Sequence, residues 1–183
     1  IQFLAEEGHT SPFRHATLQF EVYAPLMIAR QWWKYVVGSS WQDPIQAWNE
    51  SSRRYLTEKE TFYIPAEYEW RTSPEDKKQG SGPPFPSEEG QVYTEQLTRY
   101  VEEGERLYKE AMENGVAPEQ ARLFLPAYAL NVRFYWTASL QGVCHLLNQR
   151  LKPDSQYEFQ LFAQAVKDLA VEHFPLSIEE LTK

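Results

Sequence analysis

Residues 29–55 read ARQWWKYVVGSSWQDPIQAWNESSRRY. The stretch begins with apolar and aromatic side chains, among which Arg30 and Lys34 stand four positions apart. It ends in the polar cluster 49–55, where a carboxylate, an amide, two hydroxyls and two guanidinium groups adjoin. Each polar group buried in a core needs a hydrogen-bond partner, so a core segment rarely carries so many. The cluster is therefore either a solvated turn with surface ion pairs or a phosphate-binding loop built on arginine forks and hydroxyls.

Hydrophobic periodicity around this stretch predicts strands and helices in alternation. Apolar and polar residues alternate over 15–23, which predicts a half-buried strand, and the apolar segment 127–138 predicts a second buried strand. A short strand is expected at 61–64, ending before Pro65. Apolar residues at helical spacing predict five helices, at 25–36, 87–114 with Ser87 as N-cap, 118–124, 139–151 and 155–173.

These elements predict one α+β domain over residues 1–183, in which a small, mostly antiparallel sheet carries long helices on one side. Residues 71–86 are rich in Gly and Pro and are expected to form a loop or linker. The sequence begins at Ile1 rather than Met, so we expect that an N-terminal piece of the domain lies upstream.

Composition excludes several classes of protein. The net charge of −8 argues against a nucleic-acid-binding face, and no apolar run reaches the roughly 20 residues that span a bilayer. With Cys144 as the single cysteine, no disulfide can form within the chain, which agrees with a cytoplasmic location. One Cys and four His are few ligands for a structural zinc site, and no metal is expected.

Several residues leave a structural and a functional interpretation open. Cys144 stands among apolar residues, which favours a core position. Arg122 and Arg150 on apolar helices either interact with helix C-termini and solvent or point into a pocket, which Gln141, His145 and Asn148 near Arg150 would share. His9 stands in a turn with Gly8, Ser11 and Pro12.

Four segments together resemble the flavin-dependent thymidylate synthases, in the order of that family and over nearly the whole chain. The matching segments are Gly8–His15, Ala29–Trp33, Asn49–Tyr55 as the N-E-x-S-x-R-Y half of the family signature, and Ala121–Pro126 with Arg133–Trp136 and Leu147–Arg150. Each segment alone is weak, and the combination is specific.

The resemblance implies conversion of dUMP to dTMP, with methylenetetrahydrofolate as carbon donor and FAD, reduced by NADPH, as hydride source. It implies a homotetramer whose active sites combine residues of several subunits. It also implies that no cysteine nucleophile is needed, and that Arg150 stabilises the uracil ring ionised at N3. A fixed guanidinium suits that role because charge builds on the ring as C5 is activated.

The resemblance further implies two groups of binding residues. The expected dUMP contacts are Gln31, Lys34, Glu50, Ser52, Arg53, Arg54, Arg122 and Arg150. The expected FAD contacts are His9, Ser11, Lys34, Tyr35, Val36, Glu50, Ser139, Gln141 and His145.

Three departures from the family pattern fall on the flavin side. The signature opens with Arg-His-Arg, where this chain has Lys34-Tyr35-Val36, and extra residues at 39–47 precede Asn49. A family Asn-x-Arg contact appears as Ser139-Leu140-Gln141. The alternative to an active synthase is therefore a paralogue that binds a pyrimidine nucleotide without methylating it, or one that acts on another pyrimidine or with another one-carbon donor.

Overall fold

The computed structural model describes residues 1–35, 48–51, 59–75 and 80–183. A three-stranded antiparallel sheet in the order β1-β3-β2 forms its centre. Strand β1 spans Thr17–Pro25, β2 Trp48–Glu50 and β3 Asn131–Ser139. β1 pairs with β3 along its entire length, from Thr17 opposite Ser139 to Pro25 opposite Asn131.

The alternation in the sequence sets the two faces of this sheet. In β1 and β3 every second side chain is buried, including Phe134 and Trp136 in β3, and the intervening side chains are exposed or partly exposed. Successive side chains of a strand point to opposite faces, so the buried set lies on one side of the sheet. The helices therefore need to cover only this one side of the sheet.

Helices follow directly on both long strands. Seven α-helices lie within the described residues: α1 Gln2–Glu6, α2 Leu26–Trp32, α3 Ser87–Glu113, α4 Pro118–Ala121, α5 Leu140–Arg150, α6 Tyr157–His173 and α7 Pro175–Leu181. Two 3-10 helices, Ser11–Arg14 and Arg122–Phe124, complete the set. Because β1 leads into α2 and β3 into α5, the two helices start at opposite ends of the sheet.

An aromatic cluster joins the sheet to these helices. The ring of Trp32 on α2 lies 5.5 Å from Trp136 on β3 and 5.3 Å from Phe159 on α6, centroid to centroid. All three side chains are essentially inaccessible to solvent. Burying an aromatic side chain contributes about 2 kcal/mol or more, so this cluster fixes where α2 and α6 lie relative to the sheet.

The α+β prediction and the long strands and helices are confirmed, with boundaries shifted by a few residues. Within the described residues, α2 ends at Trp32, earlier than expected, and the polar cluster 49–55 begins in strand β2. The N-cap of α3 is Pro86, so the prediction of Ser87 was wrong by one position. Helices α1 and α7 were not predicted. The expected strand at 61–64 is reduced to one bridge between Phe62 and Leu130. Among the described residues, no helix has the length and apolar character that crossing a membrane requires.

The described parts of the expected loop 71–86 bond to each other and pack against the chain after α5. The amide of Gly82 donates to the carbonyl of Thr72, and the amide of Thr72 donates to the carbonyl of Pro83, at 2.8 and 2.9 Å. Gly80 has a φ of +83°, and a Cβ atom there would lie 2.8 Å from the backbone oxygen of Asp154. Glycine is thus required both by its conformation and by the close approach of the chain after α5. This loop forms part of the wall described below.

Candidate functional site

The guanidinium group of Arg150 is held by aromatic rings rather than by a carboxylate. Arg150 is the last residue of α5, and its Cζ lies 4.7 Å from the ring centroid of Phe159 and 5.3 Å from that of Tyr35. Its Nε is buried and has no hydrogen-bond partner, and no salt bridge joins it to any described residue. A partly buried cation without an anionic partner is costly, so this position suits a residue that pairs with a ligand.

Tyr35 connects Arg150 to the sheet. The indole Nε1 of Trp136 donates to the backbone carbonyl of Tyr35 at 2.9 Å. The Tyr35 ring, 8% exposed, lies 5.8 Å from the imidazole of His145 and 6.3 Å from Phe159. Tyr35 therefore lies close to both Arg150 and His145.

A cavity of about 840 Å³ opens beside Arg150. One face of α2 contributes Met27 and Gln31, and Lys34 follows at the end of that helix. The side-chain amide of Gln31 donates to the carbonyl of Met27 at 3.3 Å and also bonds to the side chain of Gln156, just before α6. Three of the expected nucleotide contacts, Gln31, Lys34 and Arg150, are thus brought together on one cavity.

A further part of the cavity wall comes from the segment before α3, which the sequence did not assign to the site. Tyr63, Trp70, Arg71 and Ser81 line the cavity there. Arg71 donates from Nε to the Ser81 hydroxyl at 2.8 Å, and its Cζ lies 4.6 Å from the ring centroid of Tyr157. These residues escaped prediction because their neighbours are distant in sequence. The sequence signal that could have indicated this part of the site is Arg71, which lies between Trp70 and the segment Gly80-Ser81-Gly82.

The cavity carries charges of both signs. Lys34, Arg71 and Arg150 line it together with the acidic residues Glu69, Asp154 and Glu158. Glu69 accepts a hydrogen bond from the amide of Ala66 at 2.7 Å. Burial, and next the nearby charges of Glu69 and Glu158, raise the pKa of Tyr63 above its ordinary value. Tyr63 is thus a neutral hydrogen-bonding group at physiological pH, beside a potential anion site.

Four of the expected flavin contacts, His9, Ser11, Gln141 and His145, lie on α5 and the N-terminal segment and outside the cavity lining, whereas Lys34 lines the cavity. Arg14 donates from Nε to the Gln141 side chain at 2.6 Å, which attaches the 3-10 helix 11–14, with Ser11 at its start, to α5. His9 is exposed and stacks on Phe3 with a centroid distance of 6.4 Å. His145 is exposed one helical turn after Gln141. This accessible surface thus carries two imidazoles, a hydroxyl and an amide, from His9, His145, Ser11 and Gln141 respectively.

Ser139 stands apart from this set. It is 2% exposed, and its hydroxyl accepts the amide of Gly142 at 3.1 Å as the N-cap of α5. A capping side chain that is already buried has no accessible surface for a flavin within this chain. The serine at this family position therefore serves the helix start.

Two further predicted contacts lie away from the cavity lining. Arg122 begins the 3-10 helix after α4 and is exposed, and Glu50 ends β2, where it is also exposed. Val36, Ser52, Arg53 and Arg54 lie outside the described residues, as does the whole inserted segment 39–47. No group of three or more His, Cys, Asp or Glu that could hold a metal ion occurs in the part of the chain that the structure describes.

Comparison with known proteins decides the family. The sequence model described as thymidylate synthase complementing protein matches residues 1–176. The chain belongs to this family. It is 33% identical over 183 residues to the flavin-dependent thymidylate synthase of Thermosipho africanus, covering all of this chain and 75% of that protein. It is 34% identical over 177 residues to the enzyme of the same name from Thermus thermophilus, covering 97% of this chain and 60% of that one.

Solved structures agree with this membership. The fold matches that of PolB from Streptomyces cacaoi, a UMP/dUMP methylase, in its structure bound with 5-Br dUMP, with a TM-score of 0.80 and 26% identity. That match covers 99% of this chain and 76% of the PolB chain. The PolB structure bound with 5-Br UMP gives a TM-score of 0.82 at 25% identity, covering 99% and 79%. The family resemblance and the fold predicted from the sequence are confirmed.

Proposed function

We propose that this member of the thymidylate synthase complementing protein family methylates dUMP to dTMP with a bound flavin. The observation that carries the proposal is the Arg150 side chain, which lines the cavity, packs on two aromatic rings and has no anionic partner among the described residues. A pyrimidine ring that becomes negative during activation of C5 is the partner that this group lacks. The flavin-dependent relatives supply the reaction class.

The residues of the chain have separate tasks in this reaction. Gln31 and Lys34 bind and orient the nucleotide from α2, together with Arg53 and Arg54 of the family signature. Arg150 holds the negative charge that develops on the uracil ring. Because its guanidinium is fixed by Phe159 and Tyr35, little reorganisation is needed when that charge appears.

The accessible surface of α5 and the N-terminal segment fits a flavin. His9 and Phe3 offer an exposed aromatic pair for a flat ring system, and Gln141 and His145 offer hydrogen-bonding groups. We assign the flavin as FAD, with NADPH as reductant and methylenetetrahydrofolate as carbon donor. When bound, FAD supplies the hydride that reduces the transferred carbon. We place the reaction in the cytoplasm, where NADPH is available.

We further propose that the active enzyme is a homotetramer in which subunits share each site. Arg122, an expected dUMP contact, is exposed and does not line the cavity of its own chain. Its neighbours Leu123 and Phe124 are 84% and 44% exposed. Large apolar side chains beside a substrate-binding arginine suit burial against a second subunit. Sedimentation of the purified protein tests this, and a monomer at all concentrations would contradict it. Leu123→Glu should dissociate the assembly.

Flavin absorbance and product formation test the reaction. We expect purified or FAD-reconstituted protein to be yellow, to bleach anaerobically with NADPH, and to recover its colour with dUMP and methylenetetrahydrofolate while dTMP forms. UMP belongs in the same assay because the matched PolB is named a UMP/dUMP methylase. A protein that binds dUMP but takes up no flavin would be a non-catalytic nucleotide-binding paralogue instead.

Arg150 is tested separately from flavin binding. Arg150→Ala should abolish turnover and leave the flavin spectrum unchanged, because Arg150 lines the cavity rather than the outer surface of α5. Arg150→Lys keeps a charge but loses the planar group that packs on Phe159, so we expect strongly reduced turnover. Substantial activity in the Ala variant would refute the proposed role.

A further inference from the structure

We propose that Arg71 is a nucleotide-binding residue, and that it binds the phosphate group of the pyrimidine nucleotide. This inference rests on the proposed function and adds a residue to it. None of the family segments in the sequence contains position 71, and the structure alone brings it to the cavity of Gln31 and Arg150.

The first argument is the way in which Arg71 is held. Its Nε donates to Ser81 at 2.8 Å, and its guanidinium lies over the Tyr157 ring at 4.6 Å. No other hydrogen bond and no ion pair joins this guanidinium to a described residue. Its terminal Nη1 and Nη2 are therefore available. Two parallel N–H donors in one plane match two oxygens of a phosphate.

The second argument is the rigidity of the support. Ser81 stands between Gly80, which packs on the backbone of Asp154, and Gly82, whose amide bonds to Thr72. Tyr157 begins α6, a helix of 17 residues. A guanidinium fixed on both sides loses little side-chain entropy when it binds an anion. This arrangement is typical of a binding residue and exceeds what a solvated surface arginine requires.

The third argument is the position of Arg71 relative to Arg150. Tyr157 supports Arg71, and Phe159, two residues later on α6, supports Arg150. Side chains two residues apart on a helix point to nearly opposite sides. The first turn of α6 thus separates two guanidinium groups that line one cavity. A nucleotide has its pyrimidine ring at one end and its phosphate at the other, so with Arg150 at the ring, Arg71 is placed for the phosphate.

Two carboxyl groups of the cavity, those of Glu69 and Glu158, do not occupy Arg71. Glu69 and Glu158 line the same cavity, and neither forms an ion pair with Arg71. Lys34 stands where the family signature has an arginine, and a lysine offers no planar fork. Arg71 supplies such a fork to the cavity that Lys34 also lines.

Binding of dUMP and of deoxyuridine, which lacks the phosphate, tests the proposal in the FAD-loaded full-length protein. A hydrogen bond to a charged group contributes about 1.5–3 kcal/mol, so Arg71→Gln should raise the Kd for dUMP about 10- to 100-fold. The Kd for deoxyuridine should change less than about twofold. Arg71→Lys should lie between wild type and Arg71→Gln. Arg106→Gln, which removes an equal charge from an exposed site on α3, should leave both constants unchanged.

The outcomes separate this inference from the proposed function. If wild-type protein binds dUMP and Arg71→Gln binds it equally well, the role of Arg71 is refuted and the function stands. Equal weakening of dUMP and deoxyuridine, in Arg71→Gln and Arg71→Lys alike, would show a structural role and also refute it. If only the binding of NADPH or of the folate is weakened, Arg71 binds another anion and its role at the nucleotide phosphate is refuted. Wild-type protein without dUMP binding would refute the proposed function itself.

Discussion

Two buried tryptophans in one cluster allow the contribution of a single hydrogen bond to stability to be measured. Trp32 and Trp136 are 1% and 0% exposed and meet edge to face at 5.5 Å. The indole Nε1 of Trp136 donates to the carbonyl of Tyr35 at 2.9 Å, whereas the Nε1 of Trp32 is buried and bonds to no described residue. Substituting each by Phe removes a similar volume from the same core, so the packing costs of the two variants largely cancel in a comparison.

The expected difference follows from the hydrogen bond. Trp136→Phe leaves the Tyr35 carbonyl unsatisfied, at a cost of about 1–3 kcal/mol beyond packing. Trp32→Phe removes an unsatisfied N–H group and carries no such cost. We therefore expect Trp136→Phe to be the less stable variant by about 2 kcal/mol. For a chain of this size that difference lowers Tm by about 4–8 °C.

Urea unfolding of both variants at one protein concentration is the assay. Equal protein concentration matters because association would add to the apparent stability. The midpoints should differ while the m-values stay equal, which shows that stability and not the unfolded state has changed. Equal free energies of unfolding, or a less stable Trp32→Phe variant, would refute the reasoning that the Trp136 bond to Tyr35 contributes to stability.

Two further substitutions test packing and ionisation. A Cβ atom at Gly90 would lie 1.8 Å from the carbonyl oxygen of Glu67, so Gly90→Ala should cost about 3 kcal/mol or more in thermal unfolding. Gly115→Ala, at a φ of +81° with no atom within 4 Å, should cost only about 1 kcal/mol, and equal losses would contradict the predicted clash. Burial raises the pKa of Cys144 to about 12 from its ordinary value of 9.0. The unfolded thiol therefore ionises first as pH rises, and between pH 9 and 12 wild type should lose up to about 1.4 kcal/mol per pH unit relative to Cys144→Ala. Parallel pH profiles of the two proteins would contradict this.

Sequence periodicity is sufficient to predict the long strands and helices and insufficient to predict the short ones. The alternation of β1 and the helical spacing of α3 and α6 are local patterns, and all three elements are confirmed. Strand β2 has three residues, one of them buried in part, so it exists only because β3 offers a free edge. The pairing partner of a short strand is not a property of its own sequence.

The same distinction applies to the candidate site. The family resemblance indicates Gln31, Lys34 and Arg150, and the structure places all three on one cavity. Arg71 and Tyr157 belong to no motif, and their contact depends on how the loop 71–86 packs beside α6. Ser139 shows the converse, because a family position assigned to ligand binding holds a helix cap here. Family motifs indicate the residues that they contain. The parts of a cavity wall that come from other, distant segments can be identified only from the fold.

The pairing of β1 with β3 also determines when the domain can form during synthesis. Gln19 and Thr137 bond across the sheet although 118 positions separate them in the chain. Loop closure over such a distance slows folding, and strand edges that await a partner are prone to association with other chains. On the ribosome, β1 must remain unpaired until β3 has emerged, long after α3 is complete. We expect truncated forms that end before Asn131 to aggregate, because β1 then has no partner strand.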